Sequence, residues 1–280
     1  MFRLTTSHKL TRSQVKKNKG GFPPTSSSLP ATLWPMFMDH GSCIAELMKY
    51  KFKKAKKLLN IDNNAKTVKG QKYGYKTAIL YLAPANLSGF NVCAMASLGC
   101  KAACLNKAGM GVFSNVQKAR IDKTRWYMQE RASFMDQLKK EISKFVNKCK
   151  EEKFIPCVRL NGTSDIAWEV TGIFESFPDV QFYDYTKIYK RALKFIKGEY
   201  PKNYHITYSL NEDNKKEAFN ILKLGGNISA VFRKELPKKF NGYKVADADQ
   251  SDLRFNDPKN SIAGLKAKGP ARYDKSGFVL

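Results

Sequence analysis

Acidic residues are scarce in this 280-residue chain: 24 Asp and Glu stand against 50 Lys and Arg, a net charge of +26. None precedes Asp39. No run of about 20 apolar residues occurs, which excludes a membrane-crossing helix. The start lacks an apolar secretory leader. Histidine is limited to His8, His40 and His205, so few partners exist for a mixed Cys/His zinc site. There is no G-x4-G-K-[ST] phosphate loop, no H-E-x-x-H and no G-x-S-x-G elbow. No segment repeats.

What is present begins with a core. The chain is 42% hydrophobic and 12% aromatic, enough for one large domain or two small ones. The basic excess implies an anionic partner, nucleic acid or nucleotide first. Residues 1–76 hold 16 basic and 3 acidic side chains. Within them, residues 1–45 read as a disordered basic tail: Ser, Thr, Lys and Pro are frequent, and Gly20-Gly21 and Pro23-Pro24 break any period. Met36, Met38 or Met48 are alternative starts. Residues 46–76 form a basic extension. Its first part, 46–59, places Leu47, Tyr50, Phe52, Ala55, Leu58 and Leu59 in a stripe among lysines and predicts an amphipathic helix. That helix either packs on the surface or contacts nucleic acid.

Residues 77–280 predict an α/β domain. Thr77–Ala83, closed by Pro84, is a continuous apolar run and reads as a buried strand. After a long loop, Ser114 opens a helix in capping-box form. Tyr127, Phe134, Leu138, Ile142, Phe145 and Cys149 then continue it to about Lys150. Strand signals at 155–161, 180–185, 204–210, 228–233, 243–247 and 261–265 follow, with helices at 166–174, 187–196 and 213–224 among them. Such alternation predicts a mostly parallel sheet or partial (β/α) barrel of about six strands.

Six cysteines without a secretory leader fit a reduced, cytoplasmic protein better than a disulfide scaffold. Cys43, Cys149 and Cys157 stand alone in apolar surroundings and read as core residues. Cys93, Cys100 and Cys104 fall in the loop after the first parallel strand. Three thiolates suit a four-iron cluster with one iron left open. A zinc site completed by Cys157 or His205, or three unconnected cysteines, are the alternatives.

A three-cysteine loop after strand one of such a sheet resembles the radical S-adenosylmethionine enzymes, although the spacing here is C-x6-C-x3-C rather than that family's C-x3-C-x2-C. The stretches NVCAMASLGCKAACLNKAG, VRLNGTSDIAWE, FYDYTK and DLRFNDPKNSIAGLKAKG are also similar to a family of phage proteins of the gene-product-88 type, over most of residues 60–280. The first resemblance implies a 4Fe-4S cluster on the three cysteines and S-adenosylmethionine as cofactor. The second implies a viral or prophage origin, hence the host cytoplasm.

Ligands of parallel sheets gather at the carboxyl ends of strands. Asn161, Thr163, Ser164 and Asp165, with Gly162 allowing close approach, follow the second parallel strand. By the radical-enzyme resemblance they would hold the cofactor, Asp165 taking its amino group; a plain helix cap is the alternative. Ser209 at the fourth strand end joins this set. Asp184 and Lys187, with Asp165, are candidate catalytic residues. Asp247, Asp249, Asp252, Arg254 and Asp257 form an acidic loop that pairs internally or binds a divalent cation. Lys266, Lys268 and Arg272 lie on a glycine-bounded segment suited to phosphates. Two functions result: an iron–sulfur enzyme acting on nucleic acid or nucleotide, and a non-enzymatic nucleic-acid-binding protein with a structural metal.

Overall fold

The computed structural model describes residues 50–62 and 65–280. The expected tail over 1–45, Cys43 and the first residues of the expected basic helix lie outside the described residues. Those described form β1 (Leu59–Ile61), α1 (Ala65–Gly70), β2 (Tyr75–Leu80), α2 (Leu98–Ala102), α3 (Ser114–Gln129), α4 (Arg131–Glu151), β3 (Ile155–Arg159), β4 (Gln181–Thr186), α5 (Tyr189–Ile196), β5 (Tyr204–Ser209), α6 (Lys215–Lys223), β6 (Ile228–Phe232), β7 (Lys239–Phe240), β8 (Tyr243–Asp247) and β9 (Ser261–Lys266). Short 3-10 turns fill several connections, including Trp168–Thr171 where a helix is expected over 166–174.

All nine strands belong to one sheet, ordered β1-β2-β3-β4-β5-β6-β9-β8-β7. From β2 to β8 every pairing is parallel, and the edge strands β1 and β7 are antiparallel to their neighbours. The sheet thus exceeds the six or so strands expected: the seven strand segments read from the sequence are all present, and two short edge strands, β1 and β7, cap them. Its order also departs from simple succession: β9 inserts between β6 and β8.

Alternation in the strands separates two faces. Leu80, Val158, Phe182, Ile206 and Ile228 pack on one face with Phe134, Leu138, Ile142 and Phe145 of α4, in one buried cluster. These are the helix residues predicted from their spacing. The expected single helix, however, is two. Glu130, at φ −130° and ψ 58°, leaves helical geometry between α3 and α4. Trp126, Tyr127 and Phe134 meet edge to face at that corner. No proline or glycine marks the bend, so the aromatic packing is its visible cause. Ser114 is the first helical residue rather than the cap; Phe113 takes the cap position without a side-chain bond.

The other face carries Cys157 and Tyr183 against Leu253. Asp252, in the expected acidic loop, accepts from Arg159 at 3.1 Å and from the Tyr183 hydroxyl at 3.0 Å. Asp249 pairs with Lys66 and Lys268, and Arg254 with Asp257. The loop is therefore bound inward by cations, as internal pairing predicts.

The expected helix over 46–59 is absent from residues 50–58, which run irregularly into β1. Glu141 of α4 explains this. Its carboxylate accepts from the backbone N–H groups of Leu58 and Leu59 at 2.8 and 2.9 Å, and Lys123 donates to the Leu58 carbonyl at 2.8 Å. Donors held by a remote carboxylate are lost to a local helix. The expected boundary at residue 76 also falls inside β2. Replacing Glu141 by alanine is expected to lower the unfolding free energy by about 1–3 kcal/mol, because it orphans those donors. Urea titration checks this; a loss near zero would mean that water replaces the carboxylate. No helix among the described residues is long and apolar enough to cross a membrane.

Candidate functional site

Parallel strands β2 to β5 end on one edge, and the cysteine loop lies there. Leu80 ends β2, and residues 81–113 cross the edge before α3 begins. Cys93 donates weakly to the Thr163 carbonyl at 3.6 Å, and Asp165 N–H bonds the Val92 carbonyl at 2.8 Å. The loop is thus tied to the Asn161–Asp165 turn. Gly162 makes this possible: a Cβ there would come within 2.7 Å of Ile79, Tyr81 and the Leu80 carbonyl.

Cys100 sits on α2 and Cys104 one turn later. Ser97 caps α2 by accepting from Cys100 N–H at 3.1 Å. Glu212, beyond β5, accepts from Ser97 Oγ at 2.8 Å and from Gly99 N–H at 2.7 Å. The three thiols are free and partly exposed. Burial pushes Cys93 up to about 11, and the charges of Cys104, Asp165 and Cys100 add to this. Burial also raises Cys104, while Arg120 and Lys187 pull it down. Among the described residues, no three His, Cys, Asp or Glu side chains are gathered tightly enough to form a ready metal cage.

Two cations lie near Cys104. Arg120, buried on α3, donates to Asn106 Oδ1 at 2.5 Å and lies 4.8 Å over the Tyr81 ring. Lys187 donates to Ser209 Oγ at 2.8 Å, with its ammonium 5.8 Å from the Phe278 ring. A cavity of about 310 Å³ opens here, lined by Met95, Lys187, Tyr208, Asn211 and Glu217 among others.

The remaining candidates are engaged within the fold. Asn161 Oδ1 accepts from Ser164 Oγ, Ile166 N–H and Trp168 Nε1. Thr163 Oγ1 donates to the Leu82 carbonyl at 2.5 Å. Asp165 accepts from Thr186 Oγ1, Lys187 N–H and Arg191 Nη1 at 2.8, 2.8 and 2.6 Å. Asp184 lies inside β4, not after it, and accepts from Asn161 N–H at 2.8 Å and Nδ2 at 3.1 Å. Burial raises its pKa to about 7 against the pull of Arg191 and the Asn161 N–H. Of the expected set, Lys187 lies near Cys104 and bonds Ser209, whereas Asp184 is a buried strut.

Cys157 and His205 do not join the cysteines. Cys157 lies in the middle of β3 against Tyr183 and Leu253, and His205 near the start of β5 against Phe195. Sequence reasoning missed Glu212, Arg120 and Arg191. Glu212 was within reach of the strand-end logic that selects Ser209; the two arginines on helices gave no such signal.

No curated protein and no solved structure matches the chain. The family model for gene product 88 matches residues 51–280, which include every element described above. The chain belongs to the gene product 88 family of phage proteins.

Proposed function

We propose that Cys93, Cys100 and Cys104 hold a four-iron cluster, and that this phage protein is an iron–sulfur enzyme acting on nucleic acid or a nucleotide. The observation that carries the reading is the placement of three partly exposed thiols in the one loop that crosses the carboxyl edge of a parallel sheet, with Arg120 and Lys187 near Cys104. Two fixed cations offset the negative charge that thiolates bring to a metal. Soft thiolates suit iron–sulfur chemistry, and three of them leave one iron for a ligand from outside the protein. A structural zinc site needs a fourth protein ligand. Neither Cys157 nor His205 offers one, and Glu212 already holds the start of α2.

The side chains expected to bind S-adenosylmethionine do not fit that role. Asn161, Thr163, Ser164 and Asp165 each have internal partners. The reading therefore rests on the three cysteines and on Lys187 near Cys104, with no step through that cofactor.

Reconstitution with iron and sulfide without oxygen is expected to give a brown protein with about four irons per chain, bleached by dithionite. Each of Cys93→Ala, Cys100→Ala and Cys104→Ala should remove the colour, and Cys149→Ala should keep it. Colourless protein holding stoichiometric zinc would overturn the proposal.

A further inference from the structure

Thirteen large apolar side chains are exposed among the described residues, and seven of them fall in the cysteine loop: Leu87, Met95, Leu98, Leu105, Met110, Val112 and Phe113. An exposed apolar concentration of this kind marks a contact surface. The loop itself carries no acid, because no Asp or Glu occurs between Asp62 and Asp122, and the Glu212 carboxylate that reaches it is taken up by Ser97 Oγ and Gly99 N–H.

The surface has a cleft. Leu98 and Ala102 of α2 form one wall, Pro270 and Tyr273 the other, around a cavity of about 320 Å³. Leu98 and Tyr273 are 82% and 83% exposed. Packing ties the two walls together, since Ala103, next to α2, and Ala271, between Pro270 and Tyr273, share one buried cluster. Lys275 lines the cleft, and Lys101 and Arg272, next in the chain to its lining residues Ala102 and Tyr273, are exposed, as is Lys107 on the same loop. No ion pair to any of them is found among the described residues. Asp274 also lines the cleft, but its carboxylate is turned back onto Ser276 Oγ and Val279 N–H at 2.7 and 3.1 Å.

We infer that this face binds single-stranded nucleic acid, with an unstacked base between Leu98 and Tyr273 and phosphates on the four cations. Charge complementarity commits the surface to an anion. The paired apolar and aromatic walls commit it to a ligand with flat faces, which a single strand presents and a stacked duplex hides. Unpaired lysines and arginines at the rim serve a phosphate backbone whatever the base sequence. The inference deepens the proposed function by naming its substrate class, and it needs no metal.

The test uses the full chain and a fluorescein-labelled oligothymidine of about 20 nucleotides, a length that covers one such site. Anisotropy titrations should show tighter binding to the single strand than to a duplex of equal length. Tyr273→Ala and Leu98→Ser should each weaken binding by about tenfold. Both side chains project from the surface, so unchanged circular dichroism is expected. Lys101→Gln with Lys107→Gln should flatten the dependence of log affinity on log salt by about 0.7 per lysine. Replacing Lys53, Lys56 and Lys57 together should change affinity less than Tyr273→Ala. Protein before and after reconstitution with iron and sulfide should bind the oligonucleotide alike, so failure of the cluster and failure of this surface are read separately. Equal affinity for duplex, or wild-type binding by both wall variants, would overturn the inference. So would polyglutamate competing as well as unlabelled oligonucleotide, which would assign the face to an acidic protein.

Discussion

Arg191→Met is expected to lower the free energy of unfolding by about 3–5 kcal/mol, the range for removing one partner of a buried ionic network. Arg191 on α5 joins Asp165 through Nη1 at 2.6 Å and Glu169 through Nε and Nη2 at 2.7 and 2.8 Å. Nη2 also donates to the Tyr204 hydroxyl at 2.8 Å. The guanidinium is 6% exposed, and the two carboxylates 11% and 9%. Methionine fills the volume but leaves two carboxylates facing each other in a nearly dry interior. Lysine should not rescue, because a point charge cannot serve two carboxylates and a hydroxyl with a planar fork. The effect should reach the site, since Asp165 also accepts from the Lys187 N–H that starts the turn carrying the ammonium toward Ser209. Urea titration at neutral pH measures the loss. A change below about 1 kcal/mol, the range of an exposed pair, would mean that water reaches the network.

The parallel core of the fold was legible because each strand announces itself locally. The stretches 155–161, 180–185 and 204–210 are short apolar runs between polar breaks, and β3, β4 and β5 lie within them or one residue beyond. The two edge strands were not legible. β1 has three residues and β7 two, too few for alternation to emerge. The stripe over 46–59 fitted a helix in spacing, but spacing cannot foresee that Glu141, 82 and 83 residues away, takes the backbone donors of Leu59 and Leu58. Insertion of β9 between β6 and β8 has the same origin: the segment carrying Asp252 and Arg254 crosses the sheet face before the chain returns. In the site, cysteine spacing found the thiols. Their supports, Glu212 and Arg120, act across the fold and leave no local trace. Asp184 misled because it precedes a polar turn, while the strand runs on to Thr186 and keeps the carboxyl inside.

Asn161→Asp is the substitution whose cost should depend most on pH. In the parent chain Asn161 Nδ2 donates to Asp184 Oδ2 at 3.1 Å and to the Ile166 carbonyl at 2.9 Å. Aspartate keeps the Oδ1 acceptor for Ser164, Ile166 and Trp168 but sets a second carboxyl against Asp184. Burial already raises Asp184 to about 7 from an ordinary value of 3.8. A raised carboxyl pKa contributes stability that is complete below the unfolded value and disappears as pH rises through the folded value. Two carboxyls at this distance cannot both ionise cheaply, so the pair retains a proton beyond the parent's range. At pH 5 a shared proton replaces the amide bond, and the expected loss is about 1 kcal/mol. At pH 8 both groups are driven to ionise inside the protein, and the loss should grow to about 3–5 kcal/mol. His205, which burial lowers to about 4, destabilises the fold in the opposite direction as pH falls. It does so equally in both proteins and cancels in their difference. Urea titrations of parent and variant at the two pH values therefore isolate the carboxyl pair. A difference that stays constant between them would show that the added carboxyl ionises as easily in the folded chain as in the unfolded one, and so that water reaches the pair.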